Sequence, residues 1–266
     1  TFYSPSGYER SLHYTGADAI RYLPADTPTN ARKWIEGIQP DLAIFVKYDF
    51  WRYHLRELER AKVPTVLIAG SVRLSQLFFR EFDLGARRTL KHFDHFVVQH
   101  HNDLILLANL ETSNRITVAG DPRADRVLQL AAGDFQNEVI EDFCGNAPVF
   151  IVGSAWAKDM EVIKPLLTTL PPNWKIIIAP HELKENEIRQ WNFDWQGVRY
   201  TKYNKGEDHE KRVLFLDTIG LLSRSYRFGR LAYIGGGFGS SIHNTLEPMA
   251  YGLPVIFGPR FTKFPE

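Results

Sequence analysis

The sequence has 266 residues, of which 44% are hydrophobic and 24% charged, and its formal net charge is +1. These values are typical of a globular protein of one large or two modest domains, and they exclude a general electrostatic attraction to nucleic acid or to an anionic membrane. A single cysteine, Cys144, excludes an internal disulfide and is typical of a reducing compartment. No run approaches the roughly 20 apolar residues that a membrane helix needs.

Short apolar runs alternate with longer amphipathic stretches along the chain. The runs predict strands at Asp41–Val46, Pro64–Ala69, His95–Val98, Arg115–Val118, Pro148–Val152, Lys175–Ala179, Val213–Leu216, Leu231–Ile234 and Leu253–Phe257. The stretches predict helices at Trp51–Ala61, Leu74–Thr89, Asn102–Asn109, Met160–Leu170 and Thr218–Arg224. Several strands lack polar alternation, as buried parallel strands do. The pattern therefore predicts an α/β fold whose parallel sheets are covered on both faces.

The segment Asp125–Ala147 separates two such series and predicts a helix followed by a polar turn. We therefore predict two Rossmann-like domains, residues 1–130 and 131–266. The chain begins at Thr1 without a methionine and stops at Glu266 just after a strand, where a helix is expected. We expect it to be truncated at both ends.

Small, polar or charged residues follow nearly every predicted strand, at the edge where open α/β sheets bind ligands. These loops are Lys47-Tyr48-Asp49, Gly70-Ser71-Val72-Arg73, Gly120-Asp121-Pro122-Arg123, Gly153-Ser154-Ala155-Trp156, Pro180-His181-Glu182, Asp217-Thr218-Ile219-Gly220 and Gly235–Gly239. One shared site would explain this, although such loops are generally polar.

The glycine loop Gly235–Gly239 fits neither common phosphate motif. No Gly-Lys-Ser/Thr follows it, and Ser240 stands where a dinucleotide fingerprint needs its third glycine. A short helix is predicted from about Asn244 to Gly252. Asn244 and Glu247 could form a capping box, or the helix could direct its N-terminus at an anion.

Other chemistries have less support in the sequence. His92, His95, His100 and His101 lack a carboxylate or cysteine partner at metal-ligand spacing. The Gly-x-Ser-x-Gly elbow of hydrolases is absent. Aromatic residues are not paired with basic ones, so nucleic-acid binding is not indicated.

Residues 243–248 (His-Asn-Thr-Leu-Glu-Pro), 252–255 (Gly-Leu-Pro-Val) and 258–259 (Gly-Pro) resemble the donor-site signature of the 3-deoxy-D-manno-octulosonic acid (Kdo) transferases. The resemblance extends along the chain through three further stretches. Residues 1–10 look like a strand-turn segment of that family, and residues 22–26 and 68–75 are similar to two other motifs. The resemblance implies a GT-B architecture, in which two Rossmann-like domains face each other across a cleft. It makes 1–130 the acceptor-side domain and 131–266 the donor domain.

The resemblance also implies which residues contact the donor nucleotide. They are Pro180, His181, Ile219, Gly220, Leu221, Asn244, Thr245, Leu246 and Glu247, with Gly153 and Ser154 lining the same cleft. Glu247 would accept both ribose hydroxyls. Two positions depart from the family pattern: Leu221 replaces a glutamate, and the stretch at His181 lacks an arginine.

Three residues are implied on the catalytic side. Arg123 aligns with a family lysine and keeps its charge, Lys47 aligns with a glutamate and reverses it, and Asp49 preserves a second acid. The family's general base is a glutamate in a segment that would precede Thr1. We therefore expect residues 1–266 alone to be inactive.

The implied function is an inverting, metal-independent glycosyltransferase of lipopolysaccharide biosynthesis. It would move Kdo from CMP-Kdo to a lipid A precursor without a cofactor or a nucleic-acid partner. It would work at the cytoplasmic face of the bacterial inner membrane, in peripheral contact with the membrane surface. Two alternatives remain: a GT-B transferase or epimerase that uses a UDP-sugar, and a catalytically inactive nucleotide-sugar-binding module.

Overall fold

The computed structural model describes residues 1–72, 84–110 and 115–262, and of residues 84–86 only the backbone. The chain divides into two compact units, Thr1–Pro122 and Arg123–Glu266. The predicted domain boundary at residue 130 stays a prediction. The two units divide after Pro122, at the start of the helix Pro122–Ala132, and this helix also contains residue 130. Within the described ranges, every helix is too short or too polar to cross a bilayer.

The first unit contains a four-stranded parallel sheet with strand order β1-β2-β3-β4. Its strands are β1 (Ala43–Val46), β2 (Thr65–Gly70), β3 (His95–Val98) and β4 (Ile116–Val118). Its helices are α1 (Pro5–Ser11), α2 (Pro28–Ile38), α3 (Arg52–Arg60), α4 (Leu84–Lys91) and α5 (His101–Ala108). Leu55, Leu67, Phe93 and Phe96 are buried at the centre of its core.

The second unit contains a six-stranded parallel sheet with strand order β10-β9-β5-β6-β8-β7. Its strands are β5 (Val149–Ala155), β6 (Lys175–Pro180), β7 (Val198–Arg199), β8 (Val213–Phe215), β9 (Leu231–Ile234) and β10 (Val255–Phe257). Its helices are α6 (Pro122–Ala132), α7 (Glu138–Cys144), α8 (Ala157–Ile163), α9 (Leu166–Thr169), α10 (Glu185–Asp194), α11 (Leu222–Ser225) and α12 (Leu246–Met249).

The strand order of the second sheet reverses beside β5. From β5 the chain passes to β6 and then to the edge strand β7. It returns to place β8 between β6 and β7, and it then places β9 and β10 on the other side of β5. Apolar residues from both faces of β5 and β6 are buried, including Ile151 and Ile177 on one face and Val152 and Ile178 on the other. Such a reversal opens a crevice at the carboxyl ends of the two central strands, where α/β proteins bind ligands. In this sheet those strands are β5 and β9.

The predicted α/β class with two parallel-sheet domains is confirmed. The predicted bounds of β3 and β9 agree with the structure, because a charged residue precedes each strand and Gln99 or Gly235 follows it. The two-residue edge strand β7 was not predicted, since so short a segment has no periodicity to read. The helices α2 and α10 were also missed.

Several predicted segments were wrong in detail, for identifiable reasons. The predicted helix Met160–Leu170 is two helices, α8 and α9, separated at Pro165. The predicted helix and turn over Asp125–Ala147 is also two helices, and Asn137 caps the second by accepting the Ile140 N–H. Residues 5–11 form α1 rather than a strand-turn, because Ser4 accepts the Gly7 N–H and Pro5 suits the first helical position. Much of the predicted helix Leu74–Thr89 lies outside the described residues.

Gly235, which follows β9, allows a test of this packing. A Cβ added there would lie 2.2 Å from the Ser154 carbonyl oxygen, so backbone would have to move. We expect Gly235→Ala to lower the free energy of unfolding by about 1–3 kcal/mol, as overpacking does. Urea denaturation measures this. Gly239→Ala is the matched control, since its nearest neighbouring atom would be 3.4 Å away. Equal stability of the two variants would contradict the prediction.

Candidate functional site

The carboxyl ends of β5 and β9 are joined through one buried carboxylate. The Asp159 side chain is 1% exposed and lies in the first turn of α8, which follows β5. Its Oδ1 accepts the Tyr233 hydroxyl at 2.6 Å, and its Oδ2 accepts the N–H groups of Trp156 and Gly236, both at 2.9 Å. A buried charge needs such donors to offset its lost hydration. Asp159 therefore fixes β9 and the glycine loop against the start of α8.

Three glycines of this loop, Gly235, Gly236 and Gly237, are required by close packing or by backbone conformation. Gly235 lies against the Ser154 carbonyl, and a Cβ on Gly237 would be 2.6 Å from the Gly258 Cα. Gly236 has a φ of 93°, which disfavours any residue with a side chain. The sequence suggested a loop that lets backbone approach a ligand. In the structure, two of its glycines instead let backbone segments approach each other.

A cavity of about 290 Å³ opens beside this junction, and we call it the Glu247 cavity. It is lined by Ser154, Gly220, Leu222, Ser223, Tyr226, His243, Asn244 and Glu247. The structure thus brings together Ser154, Gly220, Asn244 and Glu247, which come from three separate stretches of the sequence and were all predicted as site residues. No pattern in the sequence distinguishes Leu222, Ser223 or Tyr226 as site residues.

Two backbone features shape the wall of the Glu247 cavity at β5. Ser154 has a φ of 53°, an unfavourable conformation for a residue with a side chain, and such strain is concentrated at functional sites. Gly153 precedes it, and a Cβ there would lie 2.1 Å from the Tyr226 hydroxyl oxygen. Gly153 therefore makes room for Tyr226 rather than lining the cavity itself.

Glu247 is a half-buried carboxylate with few protein partners. Its Oε1 accepts the Asn244 side-chain amide at 3.4 Å, and this is its one hydrogen bond within the described part of the chain. Burial raises the pKa of Glu247 above its ordinary value, and the Asn244 amide offsets this only in part. Burial likewise raises the pKa of the Tyr226 hydroxyl, and the Glu247 charge raises it further. Tyr226 therefore stays protonated beside a carboxylate that has acceptor capacity to spare.

The capping box expected of Asn244 and Glu247 is not formed. The Asn244 side chain accepts the Leu246 N–H at 3.1 Å, two residues on, and α12 is a single turn that begins at Leu246. The chain turns at Gly252, whose φ is 70°. One turn has little macrodipole, and the Leu246 N–H is already occupied, so the helix start is a weak anion site. Asn244 holds the loop, and Glu247 is left to face the cavity.

A second cavity of about 380 Å³, which we call the Trp156 cavity, shares His243 with the first. Its other lining residues are Trp156, Ala157, Lys158, Asp159, Gly236, Gly239 and Ser240. The Trp156 indole N–H donates to His243 Nε2 at 3.0 Å, which places the His243 proton on Nδ1. Burial lowers the pKa of His243, and the nearby His181 lowers it further, so this ring is neutral at pH 7. Sequence reasoning named Trp156 only as part of a loop.

The remaining predicted donor residues have different surroundings. His181 is exposed and stacks on both Trp156 and His243, with centroids 4.2 Å apart in each case, while Pro180 is buried at the end of β6. Ile219 is 91% exposed.

Leu221 packs against the hydrophobic core, as a glutamate would not. Thr245 is 3% exposed, and its hydroxyl has no hydrogen-bond partner in the described residues; Leu246 is half-buried.

The predicted catalytic residues are divided between the two units. Lys47 and Asp49 follow β1 in the first unit, and Lys47 has a φ of 57°. Asp49 lines a cavity of about 480 Å³ there, and burial raises the pKa of its carboxyl group. Arg123 is half-buried at the start of α6 in the second unit, and it interacts with another residue of the chain. Their catalytic roles stay predictions. Among the described residues, no three His, Cys, Asp or Glu side chains come together as a metal site would require.

The raised pKa of Glu247 predicts a pH-dependent stability. As the pH rises above 4.5, the ordinary carboxyl pKa, Glu247 loses its proton in the unfolded chain before it does so in the folded chain. The free energy of unfolding therefore falls as the pH rises from 4.5 through the raised pKa of the folded chain. We expect Glu247→Gln to increase the free energy of unfolding at pH 7, with a gain that shrinks below pH 4.5. Urea denaturation at both pH values measures this. The exposed Glu161 provides the control, since Glu161→Gln should give no such gain. A gain that does not depend on pH would contradict the assigned cause.

Sequence comparison identifies relatives along the whole chain. Residues 1–126 match the family model of the 3-deoxy-D-manno-octulosonic-acid transferases. The 3-deoxy-D-manno-octulosonic acid transferase of Chlamydophila psittaci is 26% identical over 266 residues, which cover 96% of this chain and 60% of the relative. That of Aquifex aeolicus is 24% identical and covers 97% of this chain and 67% of the relative. The chain thus spans 60% of the length of the first of these relatives.

Comparison with solved structures supports the fold. The UDP-GlcNAc 2-epimerase of Methanocaldococcus jannaschii matches with a TM-score of 0.60 at 13% identity, covering 93% of this chain and 71% of that one. Identity this low shows a shared GT-B-like fold only. The match to the family model over residues 1–126 and the similarity to named Kdo transferases confirm the resemblance found in the sequence.

Proposed function

We propose that this protein is a glycosyltransferase that moves Kdo from CMP-Kdo to a lipid A precursor. The observation that carries the proposal is the Glu247 cavity, which gathers Ser154, Gly220, Asn244 and Glu247 where the strand order reverses. Its relatives are Kdo transferases by name. The proposal assigns the Glu247 cavity to the nucleotide of the donor.

The Glu247 carboxylate suits a ribose diol. Its oxygens have one amide partner in the described residues, so two hydroxyl groups can donate to them. Hydrogen bonds to a charged acceptor are about twice as strong as those between neutral groups. Two such donors would also lower the pKa of Glu247 and keep it ionised in the complex. Ligand binding would thus offset the unfavourable burial of the Glu247 carboxylate.

The phosphate of the donor is assigned to the rest of the same cavity. The hydroxyl groups of Ser154 and Ser223 and the backbone at Gly220 line it and can donate to phosphate oxygens. In the transfer step, the bond from the sugar to phosphate breaks and cytidylate leaves as an anion. The sugar carbon passes through an oxocarbenium-like state and bonds to the acceptor oxygen, while the acceptor proton goes to a base. Donors held in place beforehand stabilise the leaving charge without reorganisation.

Arg123 is assigned to the leaving group, and Lys47 and Asp49 to the acceptor side, as the resemblance implies. A fixed guanidinium can neutralise a departing phosphate, so the proposal needs no metal ion. The acceptor is a lipid, so the proposal includes peripheral contact with the cytoplasmic face of the bacterial inner membrane. The inverting outcome follows from a single displacement at the sugar carbon.

The nucleotide assignment predicts a loss of ribose recognition. We expect Glu247→Gln to weaken CMP binding to the full-length protein at least about tenfold, since a charged acceptor is lost. Wild type should prefer CMP to dCMP, which lacks the 2′-hydroxyl, and the variant should bind both alike. Calorimetry measures all four affinities. Glu161→Gln should keep the preference. A variant that still prefers CMP would remove Glu247 from the ribose, and tighter binding of UMP than CMP would favour the UDP-sugar alternative.

The catalytic assignment predicts a loss of turnover. Arg123→Ala in the full-length protein should lower kcat for Kdo transfer about 100-fold, as losing one transition-state donor does, and should weaken CMP binding by a smaller factor, because the same guanidinium pairs with the phosphate of CMP. Arg126→Ala, on the exposed side of the same helix, is the control. Transfer from CMP-Kdo to a lipid A precursor is measured in excess EDTA. Activity that needs an added divalent ion would refute the metal-free mechanism, and wild-type protein that binds CMP but transfers nothing would favour the inactive module.

A further inference from the structure

Trp156 and His243 form one flat aromatic surface in the second unit. Their ring planes are 14° apart, their centroids are separated by 6.3 Å, and the indole N–H to Nε2 hydrogen bond joins them edge to edge. His181 stacks on both rings at interplanar angles of 24° and 23°. His181 thus covers one face of this surface, which we call the Trp156–His243 platform.

The platform borders the Trp156 cavity. Trp156 and His243 line that cavity, and His181 does not. Trp156 is 39% exposed, although it is held by a hydrogen bond and a stacking contact. The cavity volume of about 380 Å³ lies within the range of small-molecule sites, about 300–1,000 Å³. An ordered, partly exposed aromatic surface beside an open cavity is typical of a surface that packs against the apolar face of a ligand ring.

Lys158 supplies the charge of this cavity. It is exposed on the first turn of α8, and in the described part of the chain it forms no ion pair. The Asp159 carboxylate next to it is already bound by three donors and is almost fully buried. The ammonium group is therefore available to an anion in the cavity. The hydroxyl of Ser240 lies on the same lining and can donate or accept a hydrogen bond.

We propose that the Trp156 cavity is the subsite for the transferred sugar, and that it selects an anionic sugar acid. The sugar ring packs on the Trp156–His243 platform, and Lys158 pairs with the sugar carboxylate. This inference rests on the proposed function, which puts the nucleotide in the adjacent Glu247 cavity. The two cavities share His243, so one donor molecule can occupy both.

The chemistry of a 3-deoxy sugar acid fits this lining. The missing hydroxyl leaves a methylene on the ring, which enlarges the apolar face available to an aromatic platform. The carboxylate needs a cation, and a lysine is a compact point charge on a flexible stem that can follow it. A neutral sugar would leave Lys158 without a partner. The subsite therefore distinguishes donors by charge, whereas the Glu247 cavity recognises the nucleotide.

The test compares the nucleotide alone with the intact donor. In the full-length protein, Lys158→Met should leave the dissociation constant of CMP within about twofold and raise that of freshly prepared CMP-Kdo about tenfold, as the loss of a charge-assisted contact does. Lys164→Met, at the C-terminal end of the same helix, is the matched control and should change neither value. Trp156→Leu should weaken CMP-Kdo more than CMP. Calorimetry measures each constant.

Each outcome distinguishes the subsite from the proposed function. If Lys158→Met weakens CMP and CMP-Kdo equally, or weakens neither, the sugar subsite is refuted while CMP binding by the wild type still supports the nucleotide site. If wild-type protein binds neither CMP nor CMP-Kdo, both proposals are refuted. A selective loss for CMP-Kdo in Lys158→Met, with Lys164→Met unchanged, confirms the subsite.

Discussion

The candidate site of the second unit depends on the buried Asp159 carboxylate. Its three donors come from β9, from the residue before α8 and from the glycine loop, so one side chain connects the two strands at the reversal of the sheet. Burying a charge is unfavourable unless its donors are in place, which makes this arrangement specific as well as stabilising. The Trp156 cavity is lined by Asp159 itself and by two of its donor residues, Trp156 and Gly236, and it shares His243 with the Glu247 cavity.

Three unfavourable features lie in or next to the Glu247 cavity. Ser154 has a positive φ, Glu247 is a carboxylate whose burial raises its pKa, and the Thr245 hydroxyl is buried without a described partner. Each of these lowers the stability of the folded chain. Ser154 and Glu247 line the same cavity, and a ligand that binds there would offset their unfavourable contributions.

The departures from the Kdo transferase pattern have different structural meanings. Leu221, in place of a glutamate, has joined the hydrophobic core, so its replacement is compensated by packing. His181, in the stretch that lacks the family's arginine, supports the platform formed by Trp156 and His243. Lys47, where the resemblance implies a glutamate, follows β1 with a φ of 57°. Of the two departures in the second unit, Leu221 thus contributes to the core and His181 to the Trp156–His243 platform.

The sequence alone determined the α/β class and most strands, because short apolar runs are local patterns. It also supplied the resemblance to Kdo transferases. The resemblance implied Ser154, Gly220, Asn244 and Glu247 as site residues, and the structure places these four on one cavity. Only the tertiary structure decided how these patterns combine. The strand order places β5 beside β9, which brings Asp159 to the glycine loop and Trp156 to His243 across 87 residues of chain. Such pairings depend on long-range contacts between strands, and no local periodicity or spacing records them.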